Sequence, residues 1–326
     1  MSRWSRLGPL TRRLGSWRRG SSEGRSPWED LKREFELDAE RYHRFSIPRG
    51  GNERFDSMSG MQLDASATRH SHRVEKGFSL PDTKRPFGVR ATPALNRAIA
   101  NADAAGDALF VTEAKEVLEA LEQWNEHGVL DDRVAPRGDA LARNPLDPET
   151  LATFLTSRHS VRDFDQRPVG RSLVEEAVRL AAHAPSVCNR QGYRAYLFDD
   201  REDIARILAM HAGSRGFAER VPALLVVTFD IRAFEDTLER NQGWIDGGLF
   251  SMMLLLALHG LGLGAVPLNW SRRNGATQRL RKAAALPDHD NVVMLIATGH
   301  PAEGYRVARS TRRPLSQILR VGMPSD

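Results

Sequence analysis

"TSRHSVRDF", Thr156 to Phe164, places two guanidiniums, an imidazole and a hydroxyl (Arg158, His159, Ser160 and Arg162) within five consecutive positions. The cluster follows a segment with a helix-start signature: Asp147 is placed to cap, Pro148 suits the first helical position, and Leu151, Phe154 and Leu155 predict one buried face. By itself such a cluster reads either as a solvated turn or as an anion site. A phosphate favours permanently charged, fork-shaped donors, and arginine supplies them bidentately.

The pattern that follows alternates helices with strands. Ser172 and Glu175 predict a capping box for a helix whose stripe Val174, Ala177, Val178 and Ala181 stops before Pro185. Next come a strand (193–198), a helix (about 201–211), a buried strand (222–229) and a long helix (about 241–260). That helix is apolar nearly all round from Trp244 to Leu258, which predicts burial on several sides, in the core or against another subunit. A glycine-rich turn, a helix (about 276–285), a strand (292–299) and the arginine-rich 309–315 close the chain. "GLGLG" (260–264) follows a helix and leads to "AVPLNW", so it is no dinucleotide fingerprint, which follows a strand and opens a helix. No Walker A sequence, GxSxG elbow or HExxH motif occurs.

The chain has 326 residues, enough for one large domain or two smaller ones. Its formal charge of +5 is uneven, because residues 1–20 hold six of the 47 basic residues and no acid, leaving 41 against 42 acidic ones elsewhere. A nucleic-acid groove is therefore not expected. Cys188 is the single cysteine, which excludes an internal disulfide and a Cys-based zinc site and fits a reducing, cytoplasmic location.

Residues 1–26 read as a basic tail. Trp4, Leu7, Leu10, Leu14 and Trp17 form an apolar stripe between arginines, interrupted at Gly8 and Pro9. The segment reads as a peripheral membrane-surface helix, a flexible tail or a transit peptide. The most apolar run, 249–258, is about half the length a bilayer core requires. Residues 27–132 form a helical extension, with helices expected at 28–45 and about 107–127; 133–149, with three prolines between 133 and 148, reads as a linker, and 150–326 as the main domain. His70, His72 and Glu75 are more simply surface partners than metal ligands, so no metal is expected.

Four stretches in order resemble the FMN-dependent nitroreductase family: "SRHSVRDF", "APSVCNRQGY" (184–193), "GLGLGAVPLN" (260–269), and "GHPAE" followed by "RRPL". The resemblance covers about 150–320. The 69–88 segment resembles more loosely an extension in a subgroup associated with polysaccharide biosynthesis. The resemblance implies an α+β fold with a mixed, mostly antiparallel sheet flanked by helices, a long central helix at the dimer interface, and a helical N-terminal extension.

The resemblance also implies site roles. Arg158, His159, Ser160 and Arg162 would hold the flavin phosphate and ribityl chain, joined there by Arg312 or Arg313. In a homodimer with flavins at the interface, Pro185, Ser186, Val187, Asn189 and Gln191 would approach the flavin bound mainly by the other chain. Pro267, Leu268 and Asn269 would run past flavin N5. A contact from the loop near 211–217 is also implied, without an assigned residue. Gly192 and Tyr193 stand where the family commonly has Pro-Trp.

The implied activity is ping-pong: NADH or NADPH gives a hydride to FMN, which passes it to a nitro, quinone or other unsaturated small-molecule acceptor, with no side-chain acid or base required. A second reading is a flavin-fold accessory or tailoring protein of membrane-associated polysaccharide biosynthesis. A third is a basic membrane- or nucleic-acid-binding module without redox activity. Residues 28–130 are expected to drape over the dimer and restrict access to the flavin.

Overall fold

The computed structural model describes residues 26–322 apart from 59 and 103–108; the basic stripe of residues 1–20 lies outside the described residues. The chain enters through α1 (Pro27–Phe45), α2 (Met61–Phe78), α3 (Ala91–Ala102) and α4 (Leu109–His127). The body then runs α5 (Pro148–Ser157), α6 (Arg171–Ala181), β1 (Tyr193–Phe198), α7 (Arg201–Leu208), β2 (Ala223–Asp230), α8 (Gln242–Gly260), β3 (Gly264–Asn269), α9 (Asn274–Ala283) and β4 (Asp290–Gly299).

All three strand pairings in the order β1-β2-β4-β3 are antiparallel. Among the described residues, the parallel element against this sheet is a single bridge from Ser160 to Ala265 of β3. Strand β2 is buried along its whole length because helices cover both sheet faces, which explains its unbroken apolar sequence. Leu224 and Val226 pack with Ile204, Ile207 and Leu208 of α7 and Leu280 of α9. The alternate residues Ala223, Leu225 and Val227 pack with Val174, Ala177 and Ala181 of α6 and with Phe250, Leu254 and Leu258 of α8. This is the two-residue period of a strand read out by two helical layers.

Several expectations are corrected. Ser172 caps nothing, because α6 starts at Arg171 with Gly170 in the cap position, placing Ser172 inside the first turn. Asp147 does cap α5, accepting from the Glu149 and Thr150 amides (2.9 and 3.0 Å), but Leu151 and Leu155 are exposed rather than buried. Residues 264–269, expected only as the sequel of a glycine-rich turn, form strand β3; its Pro267 is tolerated because β3 is at the sheet edge. The extension also contains α2 and α3 between the two expected helices.

The extension does not keep a core of its own. Leu63, Val74, Leu95, Val117 and Leu121 share one apolar cluster with Phe229, Ile231 and Phe234 of the body. Residues 128–147 contain no helix or strand and are mostly exposed. His72 and Glu75 pair at 3.2 Å, whereas His70 turns into the core, where its Nδ1 has no hydrogen-bond partner among the described residues.

By length and composition α8 passes for a membrane span, but Phe250, Leu254, Leu255 and Leu258 pack on the sheet. Its other side exposes Trp244, Ile245, Leu249 and Met252, a contiguous apolar stripe at helical spacing.

Candidate functional site

The opening motif is threaded between two strands that sequence separation hides. Val161 N–H donates to Ala265 O (3.1 Å), Asp165 N–H to His300 O (2.9 Å), and Ala302 N–H to Asp163 O (3.1 Å). Residues 160–165 are thus held between the start of β3 and the segment after β4, bringing three of the four motifs to one end of the sheet. Gly264 is required by this approach, since a Cβ there would lie 2.9 Å from Val161 Cβ.

Arg158, His159 and Ser157 line a cavity of about 190 Å³ closed by His259, Leu263 and Tyr305. Arg158 Nη1 is buried in the protein and, among the described residues, has no hydrogen-bond partner. A buried guanidinium nitrogen without an acceptor is costly, and an anion in this cavity would relieve that cost. His259, from the end of α8, was missed by sequence reasoning. Its Nε2 meets Ser157 Oγ at 2.8 Å, and burial followed by the nearby Arg158 and His159 charges holds its pKa below the ordinary histidine value. No spacing rule points to this histidine; the fold folds the helix end back onto the motif.

From this cavity β3 leads along an open sheet edge. Val266 and Leu268 point into the α7–α9 layer, so Ala265, Pro267 and Asn269 share the opposite face; Ala265 is buried beneath α6 and α8, while Pro267 and Asn269 are exposed. At the far end of β3, His211 is buried and its Nε2 donates to Asn269 O (3.0 Å), while its Nδ1 accepts from Gly213 N–H (3.2 Å), which fixes the tautomer. His211 also lines a cavity of about 720 Å³ with Ser214, Ala218, Arg272 and Arg279, a size in the range of small-molecule pockets.

The fourth motif lies elsewhere in the same chain. Pro185 to Gln191 precedes Tyr193, which pairs with Phe229 at the opposite end and opposite edge of the sheet from Ser160. Strand spacing and rise put the two more than ~20 Å apart. The loop has a constrained shape: Cys188, Asn189 and Gln191 all have positive φ (49°, 54° and 46°). Buried Arg190 holds it, donating to both Glu239 carboxylate oxygens (2.9 Å each) and to Ala233 O (2.8 Å). Val187 N–H donates to Asp246 Oδ2 (3.1 Å), a carboxyl whose pKa burial raises. Ser186 Oγ accepts from Gln191 N–H (3.0 Å), so Asn189, Gln191 and Pro185 are presented to solvent.

Gly192 and Tyr193 are explained by packing. A Cβ at Gly192 would lie 2.7 Å from Ala233 Cβ, and Tyr193 stacks on Phe250 (4.2 Å between centroids) while its hydroxyl donates to Ala182 O (2.9 Å). Tyr193 is therefore a core residue. Arg312 and Arg313 are not brought to Arg158 by their hydrogen bonds: Arg312 donates to Ser310 O and Arg313 to Gln317 Oε1, within an exposed segment. Arg162 is exposed and donates to Ser160 O (3.4 Å).

Comparison with known proteins places these features. The model described as "Nitroreductase family" matches residues 155–214. A Thermus thermophilus NADH dehydrogenase is 28% identical over 209 residues, covering 53% of this chain and 95% of that protein. A Bacillus subtilis FMN reductase [NAD(P)H] is 26% identical over 179 residues, covering 50% and 70%. The solved structure of an FMN-dependent nitroreductase from Clostridium difficile R20291 aligns over 53% of this chain and 99% of its own, at 21% identity and a TM-score of 0.45. Residues 155–214 thus match the nitroreductase family model, and the similarity to these relatives extends over about half of the chain.

Proposed function

We propose that the protein is an NAD(P)H-dependent FMN oxidoreductase that acts as a homodimer. The observation that carries this reading is the buried, unpartnered Arg158 Nη1 in the opening-motif cavity, at the head of an exposed strand edge that ends beside a second, larger cavity. The residues fit FMN: an orphaned guanidinium for its phosphate, and the Pro267–Asn269 edge for its ring.

When bound, FMN supplies hydride acceptance at N5 in a ping-pong exchange between NADH or NADPH and a nitro, quinone or other unsaturated acceptor. The chain's own residues bind and orient. Arg158 and Arg162 balance phosphate charge, with His159, Ser160 and His259 around them. The Asn269 carbonyl is fixed by His211, so the backbone that follows Pro267 cannot swing away from the ring edge.

A second copy supplies the rest. The apolar stripe Trp244, Ile245, Leu249 and Met252, together with exposed Leu151 and Leu155, forms the dimer face, since an apolar surface of this kind is costly to leave in water. Because Pro185–Gln191 is remote from Arg158 within one chain, it reaches the flavin of the other. Arg312 or Arg313 reaches the phosphate by movement of the exposed C-terminal segment or from the partner. The extension restricts acceptor access, and the protein works in the cytoplasm.

The test is the visible spectrum of the purified chain before and after anaerobic NADH or NADPH. Oxidised flavin bands that bleach are expected. A colourless protein that takes up no added FMN would overturn the reading.

A further inference from the structure

The first amides of a helix have no acceptor within it. Helix α9 begins at Asn274, and Arg273 in the cap position makes no side-chain cap. The acceptor comes instead from α1, some 240 residues earlier in the sequence. Glu34 Oε2 accepts from the Asn274 backbone N–H (2.7 Å) and from Asn274 Nδ2 (3.0 Å), and Asp38 Oδ1 accepts from the same Nδ2 (3.0 Å). Asp30 Oδ2 pairs with Arg273 Nη2 at 2.8 Å. Asp30, Glu34 and Asp38 recur every fourth residue, so a single acidic stripe of α1 faces the positive end of α9.

This clamp is a principal attachment of α1, which has no buried residue and leaves Trp28, Leu31 and Phe35 exposed. Further polar attachments come from Arg41, which donates to Asp290 O (2.7 Å), and from the Tyr42 hydroxyl, which donates to Asp236 O (2.8 Å), while the Tyr42 and Phe45 rings at the end of α1 pack against the apolar cluster.

What α9 holds gives the clamp its reach. Thr277 Oγ1 accepts from Trp270 Nε1 (3.0 Å) and donates to Arg273 O (3.3 Å). Trp270 follows Asn269, the residue fixed by His211, and the Trp270 and His211 rings stack at 6.4 Å. A contiguous chain of bonds thus runs from Glu34 through the start of α9 to the end of β3. Arg272 lies between the two, lining both the cavity beside His211 and a second one of about 400 Å³ walled by Glu34, Asp38, Trp244 and Trp270.

We propose that Glu34 is a positioning residue: by capping α9 from the N-terminal extension, it fixes Asn269 and Trp270 beside the flavin ring and so couples the extension to hydride transfer. The inference rests on the flavin reading above. Glu34→Ala removes the cap without touching β3, and the double variant Glu34→Ala/Arg273→Ser supplies a local one.

In the single variant, amide hydrogen exchange across residues 269–277 is expected to rise about tenfold, the scale of a lost charged cap. The rate of flavin reduction by NAD(P)H in stopped flow is expected to fall about tenfold with FMN affinity unchanged, since small displacements at a reacting centre cost rate. The double variant should restore both. Unchanged exchange in Glu34→Ala would refute the clamp. Raised exchange with an unchanged reduction rate, or failure of Arg273→Ser to restore the rate, would refute the positioning role. A wild-type chain that takes up no FMN would sink the functional reading and the positioning role with it, while exchange on the flavin-free protein would still report whether Glu34 caps α9.

Discussion

Acidification from pH 7.5 to 5 should destabilise the protein through one residue of the extension, His70. His70 is 7% exposed, packed near Phe55 (6.1 Å between centroids), and among the described residues its Nδ1 has no hydrogen-bond partner. Burial, then the positive charges of Arg73, Arg54 and Arg69, push its pKa down from 6.5 to about 4. The folded state therefore favours neutral His70. Its contribution to stability is complete above pH 6.5 and is lost as the pH falls toward 4, because the unfolded chain takes up the proton first. The gap between those values corresponds to about 3 kcal/mol at full protonation, of which about 2 kcal/mol is lost by pH 5. The assay is urea unfolding of the wild type and His70→Gln at pH 7.5, 6.5, 5.5 and 5. Wild-type stability should fall by about 2 kcal/mol more than that of the variant across the series. Parallel curves for the two proteins would refute the argument, whatever the variant's stability at pH 7.5.

Arg158→Ala should weaken FMN binding by about tenfold to a hundredfold, the scale of a lost charged hydrogen bond in a cavity, read by flavin fluorescence titration; an unchanged Kd would remove Arg158 from the phosphate site. Arg190→Met takes from Glu239, in a mostly buried position, its guanidinium partner and leaves it the Glu235 amide (2.7 Å). It should cost about 3 kcal/mol, and a melting temperature equal to wild type would show that the Cys188 loop is held by other contacts. Leu249→Glu with Met252→Glu places two charges on the exposed stripe of α8; sedimentation should give a monomer that also loses flavin, whereas a dimer with unchanged mass would place the interface elsewhere.

The residue pattern alone determined much of the body. Strands β1, β2 and β4 and helix α8 were legible because each carries a local signal: short apolar runs bounded by turn residues, and an unbroken helical stretch. The N-cap at Asp147 was equally local, an oxygen two and three residues from the amides it accepts from. The motif order also carried the resemblance to the nitroreductase family, whose model matches residues 155–214.

What sequence could not decide was anything resting on contacts between distant residues. Ser172 and Glu175 have the spacing of a capping box, yet α6 starts at Arg171 with Gly170 in the cap position, which puts Ser172 inside the first turn. Glu34 caps a helix some 240 residues away, and His259 and His211 reach the strand edge only because α8 and α7 end there. Residue type alone gave no warning that His70 is the buried histidine and His72 the paired one. Propensity and spacing act within a few residues, so they fix elements; burial and charge balance act through space, so only the tertiary structure decided that Arg158 Nη1 is left without an acceptor among the described residues and that Pro185–Gln191 stands at the opposite end of the sheet from it.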